Sequence, residues 1–184
     1  TTLATGGFST KNASIEHYQS PYYETVFIVF MLLAGINFSL HYQLLLGNLK
    51  VLLNNSELRF FLAVFLIASL IITVNLRVSL SHSLSASFRF ASFQVASIMT
   101  TTGYSSQNFG AWPVLSQYLL LLLMFIGGCT GSTGGSIKCF RILLLLKQGY
   151  RELYRMIHPH AVIPVKLGRK NVTPEIMEGV WGFF

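Results

Sequence analysis

Two short strings carry the residues best suited to chemistry in this sequence. Thr5-Gly6-Gly7-Phe8-Ser9 returns further along as Thr101-Thr102-Gly103-Tyr104-Ser105. Neither offers a nucleophile with a base or a pair of carboxylates, so the chemistry available is that of oxygen. A glycine adopts backbone conformations closed to residues with a Cβ, and a strand built around one can turn successive carbonyls inward. Rows of such carbonyls replace the water around a dehydrated cation. The threonine before the glycine adds a hydroxyl at the inner end of the row. The aromatic after it can pack the strand against a neighbouring helix. Thr5-Gly6-Gly7-Phe8 and Thr101-Thr102-Gly103-Tyr104 both meet these demands. One such string is an ordinary loop; two in matching positions of a repeat read as one device used twice.

A third segment is notable for what it cannot be. In Gly127-Gly128-Cys129-Thr130-Gly131-Ser132-Thr133-Gly134-Gly135, five of nine residues are glycine, each costing a helix about 1 kcal/mol relative to alanine. It interrupts an apolar run, and irregular backbone at membrane depth is tolerated only where it is buried in protein or lines water. The hydroxyls of Thr130, Ser132 and Thr133 suit a wet cavity. Lys138, at the edge of the break, is either an interfacial cation or a charge on a moving part. A phosphate-binding loop is excluded, because Ile137 rather than glycine precedes Lys138 and no strand leads in. Asn37 and Ser39, after Gly35, either line a cavity or bond a neighbouring helix. His41 reads as a helix contact. His158-Pro159-His160 has no cysteine or acid nearby to complete a metal site.

These segments need elements to hold them, and the composition says which. Hydrophobic residues make up 52% of the 184, charged residues only 10%, and the mean hydropathy is +0.56; soluble domains carry about 25% charged residues. No charge falls between Glu24 and Lys50, between Arg59 and Arg77, or between Arg89 and Lys138, and each gap can hold the ~20 apolar residues that cross a bilayer. A first long helix is expected over 21–53 with its apolar body at 25–46, and a second span over 59–78 with an arginine at either end. A Ser-rich connection follows at 79–87. Residues 88–100 form an amphipathic half-helix too short to span, ending at the second string, as a re-entrant element would. A last apolar run, 113–147, is broken by the glycines. Proline opens the first and last runs, at Pro21 and Pro113, where its fixed φ suits a helix start.

The net charge of +7 does not point to nucleic acid. Between Lys138 and Lys170 lie eight Lys or Arg against the single acid Glu152, the pattern of a cytoplasmic segment. Cys129 and Cys139 sit in or beside an apolar run, which argues against a disulfide framework. With no initiating methionine, the chain reads as an internal fragment.

The stretches ATGGFST, FMLLAGINFSLHY, MTTTGYSSQNFGAWP and FIGGCTGSTGGSIK resemble the TrkH/KtrB/HKT superfamily of K⁺ uptake proteins along nearly the whole chain. The resemblance implies an all-α polytopic membrane protein of K⁺-channel-like repeats, each a helix, a re-entrant pore helix, a filter and a helix. Residues 1–56 would end the second repeat, 57–150 form the third, and 151–184 make a cytoplasmic linker and the start of the fourth. It implies K⁺ uptake across a bacterial inner membrane, with K⁺ the transported ion and no enzymatic activity. Gly7 and Gly103 would be the shared filter glycines, and the backbone carbonyls of Thr5, Gly6, Gly7, Thr101, Thr102 and Gly103 would be the ion ligands. The loop of Gly127, Gly128, Thr130, Gly131, Ser132, Thr133, Gly134 and Gly135, with Lys138, would obstruct the pore beneath the filter. Implied partners are membrane lipid, a second copy in a homodimer, and a cytosolic nucleotide-binding subunit of the TrkA type, for which the basic 147–170 face is the expected contact. Ser9 and Ser105 stand where channel filters have a second glycine, which predicts less stringent exclusion of other monovalent cations. A non-conducting scaffold or a subunit of another cation channel is the alternative. Passive conduction and coupling to H⁺ or Na⁺ both remain open.

Overall fold

The computed structural model describes residues 1–81, 83–158, 166–167 and 170–183. Pro159 and His160 of the His-Pro-His string, residue 82 of the Ser-rich connection, residues 161–165, 168 and 169 of the basic face and residue 184 of the last segment lie outside the described residues. The elements are helical: α1 (Pro21–Gly35), α2 (Phe38–Leu45), α3 (Leu49–Asn54), α4 (Ser56–Leu80), α5 (Leu84–Met99), α6 (Val114–Leu123), α7 (Cys139–Ile157) and α8 (Pro174–Trp181). The all-α expectation holds, with one small addition before α8. There, β1 (Lys166–Leu167) pairs antiparallel with β2 (Lys170–Asn171).

The half-helix α5 is the centre of the bundle, packed against α4, α1 and α6. Its sequence explains why it can be. Ala91, Ser92, Ala96 and Ser97 are buried together with Phe93, Val95 and Met99, and small residues let backbones approach where lipid supplies no hydrophobic drive between helices. From α4 come Phe61, Ile72 and Leu76, and from α1 Met31, all at 1% exposure or less. The outward face of α4 is apolar too, with Leu66, Ile67, Leu70 and Val74 exposed. A helix hydrophobic all round belongs in a core or a membrane. Buried Glu24 of α1 pairs with Arg89 of α5 at 2.5 Å, so Arg89 ties the half-helix to α1.

The structure corrects the expected helix over 21–53. Its chain turns by 102° between α1 and α2, and α3 is separate again. Gly35 ends α1, Ile36 is extended (φ −89°, ψ 150°), and Asn37 starts α2 by accepting a hydrogen bond from Ser39 N at 2.8 Å. Asn37 and Ser39 therefore form a helix cap at the break and are not mid-helix residues. His41 Nε2 lies 2.9 Å from Leu33 O across that bend. Helix takes up most of the expected Ser-rich connection: α4 runs to Leu80, and Ser83 caps Ala86 N at 3.3 Å, so α5 starts at Leu84 instead of at residue 88. By length and composition, α4 is the one described helix able to cross a membrane alone, and the bent α1–α2 pair passes the same test jointly.

A Cβ on Gly35 would lie 2.8 Å from Phe61 Cζ and 2.9 Å from Thr100 Cγ2, whereas Gly149 on α7 has nothing within 4 Å. Gly35→Ala should therefore destabilise the full-length protein by about 1–3 kcal/mol. Gly149→Ala should leave stability unchanged or raise it by up to about 1 kcal/mol. Thermal unfolding in detergent checks both, and equal melting of the two variants would contradict this packing.

Candidate ion-binding site

The two strings fold alike and share most of their backbone bonds. Thr5 N donates to Thr2 O and Gly6 N to Thr1 O, both at 3.0 Å; Thr101 N donates to Ile98 O at 3.0 Å and Thr102 N to Ser97 O at 2.9 Å. The hydroxyls match as well: Thr1 Oγ1 donates to Phe8 O at 3.1 Å, and Ser97 Oγ to Tyr104 O at 2.6 Å. In both strings the handedness alternates. Thr5 and Gly7 have φ of +47° and +62°, Thr101 and Gly103 have +57° and +89°, and Gly6 and Thr102 between them lie outside the left-handed region. Alternating right- and left-handed residues aligns successive peptide groups on one side.

Peptide geometry then gives the carbonyl directions. No peptide bond is cis among the described residues, so each C=O points opposite to the N–H of the same peptide. The amides of Thr102 and Gly103 both reach back to Ser97 O, at 2.9 and 3.3 Å. The carbonyls of Thr101 and Thr102 therefore point away from α5, and the carbonyl of Thr5 points away from Thr1 by the same reasoning. Left-handed φ at β-branched Thr5 and Thr101 is sterically expensive, about 1–3 kcal/mol each. It occurs at the same place in both strings. Gly7 stands against its twin: a Cβ there would meet Thr102 O at 1.9 Å.

The aromatic positions differ. Tyr104 is buried, meets the Phe27 ring edge-on at 5.1 Å and bonds Thr1 Oγ1 at 2.5 Å. Phe8 is 79% exposed and lines an apolar cavity of about 530 Å³ with Tyr18, Tyr23 and Tyr104, so the expected packing of the aromatic holds for only one string.

The glycine-rich segment is non-helical, as expected, and lies between α6 and α7 against both strings. Thr5 Oγ1 donates to Thr133 O at 3.1 Å, and Gly135 N donates to Thr101 Oγ1 at 2.6 Å. Those hydroxyls, expected as ion ligands, are occupied by the loop. The loop also fills the break between α1 and α2: Cys129 N bonds Gly35 O at 2.8 Å, Thr133 N bonds Ala34 O at 3.3 Å, and Phe38 N bonds Gly131 O at 3.1 Å. Gly131, at φ +75°, leaves room for the Asn37 side chain. Gly127 and Gly128 are likewise fixed, by Ile137 O and by the amide of Cys139. Lys138 turns inward, its Nζ donating to Gly134 O, and Ser132 bonds Cys129 O through its amide.

Ligands made only of carbonyl and hydroxyl oxygen suit a monovalent cation better than Ca²⁺ or Mg²⁺, which recruit carboxylates. No cluster of His, Cys, Asp or Glu fit for a metal ion occurs among the described residues.

Comparison with known proteins bears on the same residues. The family model described as TrkH, cation transport protein, matches residues 1–184. The chain belongs to this family. It is 45% identical over 185 residues to the Trk system potassium uptake protein TrkH of Salmonella typhimurium, and 45% identical to that of Escherichia coli K12. In both cases the match covers all of this chain and 38% of the relative. The crystal structure of the potassium transporter TrkH from Vibrio parahaemolyticus superposes with a TM-score of 0.94 at 39% identity, over all of this chain and 40% of that one.

Two sets of residues escape the sequence reading. Ser97 and Thr1 hold the strings in place, and their signal was the matching spacing before each glycine. Glu57 is the other: buried on α4, it accepts bonds from Thr130 and Phe140.

Because Gly7 combines positive φ with a carbonyl in the place of a Cβ, Gly7→Ala should destabilise the full-length protein by about 2 kcal/mol or more. Gly6→Ala, facing only the exposed Phe8 ring at 3.2 Å, should cost clearly less. Melting temperatures decide, and a Gly6 variant as damaged as the Gly7 variant would contradict the twin contact.

Proposed function

We propose that this chain forms part of a K⁺ uptake pathway across the bacterial inner membrane. The two strings supply filter carbonyls and the glycine-rich loop is the gate. The observation that carries the reading is the duplicated string: the same bonds, the same alternation of handedness and the same strained threonine, with carbonyls directed away from α5. One such turn is local structure, but two lying side by side make a wall of oxygens. The carbonyls of Thr5, Gly6, Gly7, Thr101, Thr102 and Gly103 are the proposed ligands. α5 ends at the second string, so its negative pole favours a cation there.

The names of the relatives support K⁺ as the ion and transport rather than catalysis as the activity. The chain spans 38% of those relatives, so the remaining wall of the pathway is taken to come from further repeats. Gly103 fits that arrangement. Where Gly7 abuts Thr102 O, the Cβ direction of Gly103 is open, as expected of a string awaiting a neighbour. Residues 1–56, 57–150 and 151–184 are accordingly read as the end of one repeat, a complete repeat, and a linker into the next. α4 and the bent and broken runs are read as passes of a multi-pass protein in lipid. Tyr104 O is held by Ser97 and Ser105 replaces a glycine, which shortens the carbonyl row and favours K⁺ with incomplete exclusion of other monovalent cations.

The loop is read as closed. It lies on the inner hydroxyl of each string, and glycine-rich backbone has alternative states within a few kcal/mol. Homodimerisation and a cytosolic nucleotide-binding partner of the TrkA type remain part of the proposal. α7 would present Arg151 and Arg155, both paired with Glu152 at 3.2 and 3.8 Å, towards that partner.

Gly103→Ser forces a side chain into left-handed backbone and should cost about tenfold in K⁺/Na⁺ discrimination, equivalent to about 1.4 kcal/mol, or abolish uptake. Ion fluxes of the full-length protein in liposomes measure this, and unaltered selectivity would remove the filter reading. Deleting residues 130–134 should raise basal K⁺ flux with little change in selectivity. Reduced flux through well-assembled protein would remove the gate reading.

A further inference from the structure

Glu57 is the single acid in the first turn of α4, the longest described helix, and it is 8% exposed. Its Oε1 accepts three hydrogen bonds: from Thr130 N at 2.6 Å, from Thr130 Oγ1 at 3.0 Å and from Phe140 N at 3.1 Å. Two donors belong to the middle of the glycine-rich loop. The third belongs to the first turn of α7, whose leading amides have no partner within the helix. A carboxylate is an acceptor only, and its charge-assisted bonds are roughly twice as strong as neutral ones. It is also favoured at a helix N-terminus by the macrodipole. Removing its donors would leave a buried charge uncompensated, so the three bonds are held together by a common penalty.

The rest of α4 cannot follow if α7 moves. Leu58 and Phe61, next along the helix, are buried in the core. α7, by contrast, is continuous from Cys139 to Ile157 and carries Arg151 and Arg155, so a force on its far end reaches Phe140 through rigid helix. At 3.1 Å the Phe140 bond is already near the long end of the range, and a shift of about 1 Å breaks it.

We propose that Glu57 is the positioning residue that latches the glycine-rich loop and couples it to α7. While α7 is seated, its N-terminus holds the carboxylate in place and the carboxylate holds Thr130. When α7 withdraws, the carboxylate loses a donor and the helix pole, turns towards water and releases the loop. This rests on the gate reading above.

The test uses full-length protein in liposomes, with K⁺ flux read beside hydrogen exchange by mass spectrometry. Glu57→Gln keeps the shape and one acceptor oxygen but loses the charge. It should raise basal flux about tenfold, the scale of one lost charge-assisted bond. Exchange should accelerate in peptides covering 128–133 and 139–142, while peptides covering 97–105 and the K⁺/Na⁺ ratio stay as in wild type. Glu57→Asp, which keeps the charge, should lie between the two, an order that simple space-filling does not produce. Should Glu57→Gln fail to assemble, Thr130→Val removes one of the three donors and should show the same changes on a smaller scale. Wild-type flux or exchange in the assembled variants, alongside raised flux in the 130–134 deletion, would overturn the latch and leave the gate. No gain from the deletion would overturn the gate and the coupling together.

Discussion

Backbone that leaves helical geometry within a membrane span must find partners for its amides and carbonyls inside the protein, since hydrocarbon supplies none. Here that constraint is met by fitting two breaks together. The end of α1 leaves the carbonyls of Ala34 and Gly35 without helical partners, and the loop amides of Thr133 and Cys129 take them. The start of α2 leaves Phe38 N, and Gly131 O takes it. Each break caps the other, taking up backbone groups that the other leaves open. The glycines make the fit possible: a Cβ on Gly128 would lie 2.9 Å from Gly35 O, and one on Gly134 would lie 3.1 Å from Thr100 O.

The position of the proposed ion ligands follows from this fit. The loop, seated in the α1–α2 break, lies against both strings and takes up the hydroxyls of Thr5 and Thr101. Both threonines are held in left-handed backbone, a strain that persists only where the surroundings over-determine it. α5 provides that rigidity. It is buried over most of its length, tied to α1 by the Glu24–Arg89 pair, and Ser97 fixes three successive groups of the second string. Two strained strings thus stand beside a glycine-rich segment with no regular structure of its own.

Much of this was legible in the sequence, for identifiable reasons. Glycine and threonine at fixed spacing announce their backbone demands locally, so both strings and the broken span were visible. The short helix before the second string was visible too, though its start was placed late because Ser83, Ser85 and Ser87 read as a polar connection until Ser83 is seen as a cap. The turn at Ile36 and Asn37 was not legible. The apolar pattern runs through it, and what breaks the helix is a partner nearly a hundred residues away in the chain. Glu57 was missed for the same reason: beside Asn55 and Arg59 it reads as part of a polar loop, and only Thr130 and Phe140 reveal its use.

The central claim is that carbonyls of the two strings face a common ion path. Rb⁺ or Tl⁺ scatters anomalously and stands in for K⁺, so diffraction from crystals of the full-length protein grown with either ion locates bound cations directly. The account predicts anomalous peaks between the Thr5–Gly7 and Thr101–Gly103 carbonyls, on the side away from α5. Peaks elsewhere in the protein with none beside these carbonyls, in crystals of protein that transports the same ion, would contradict it.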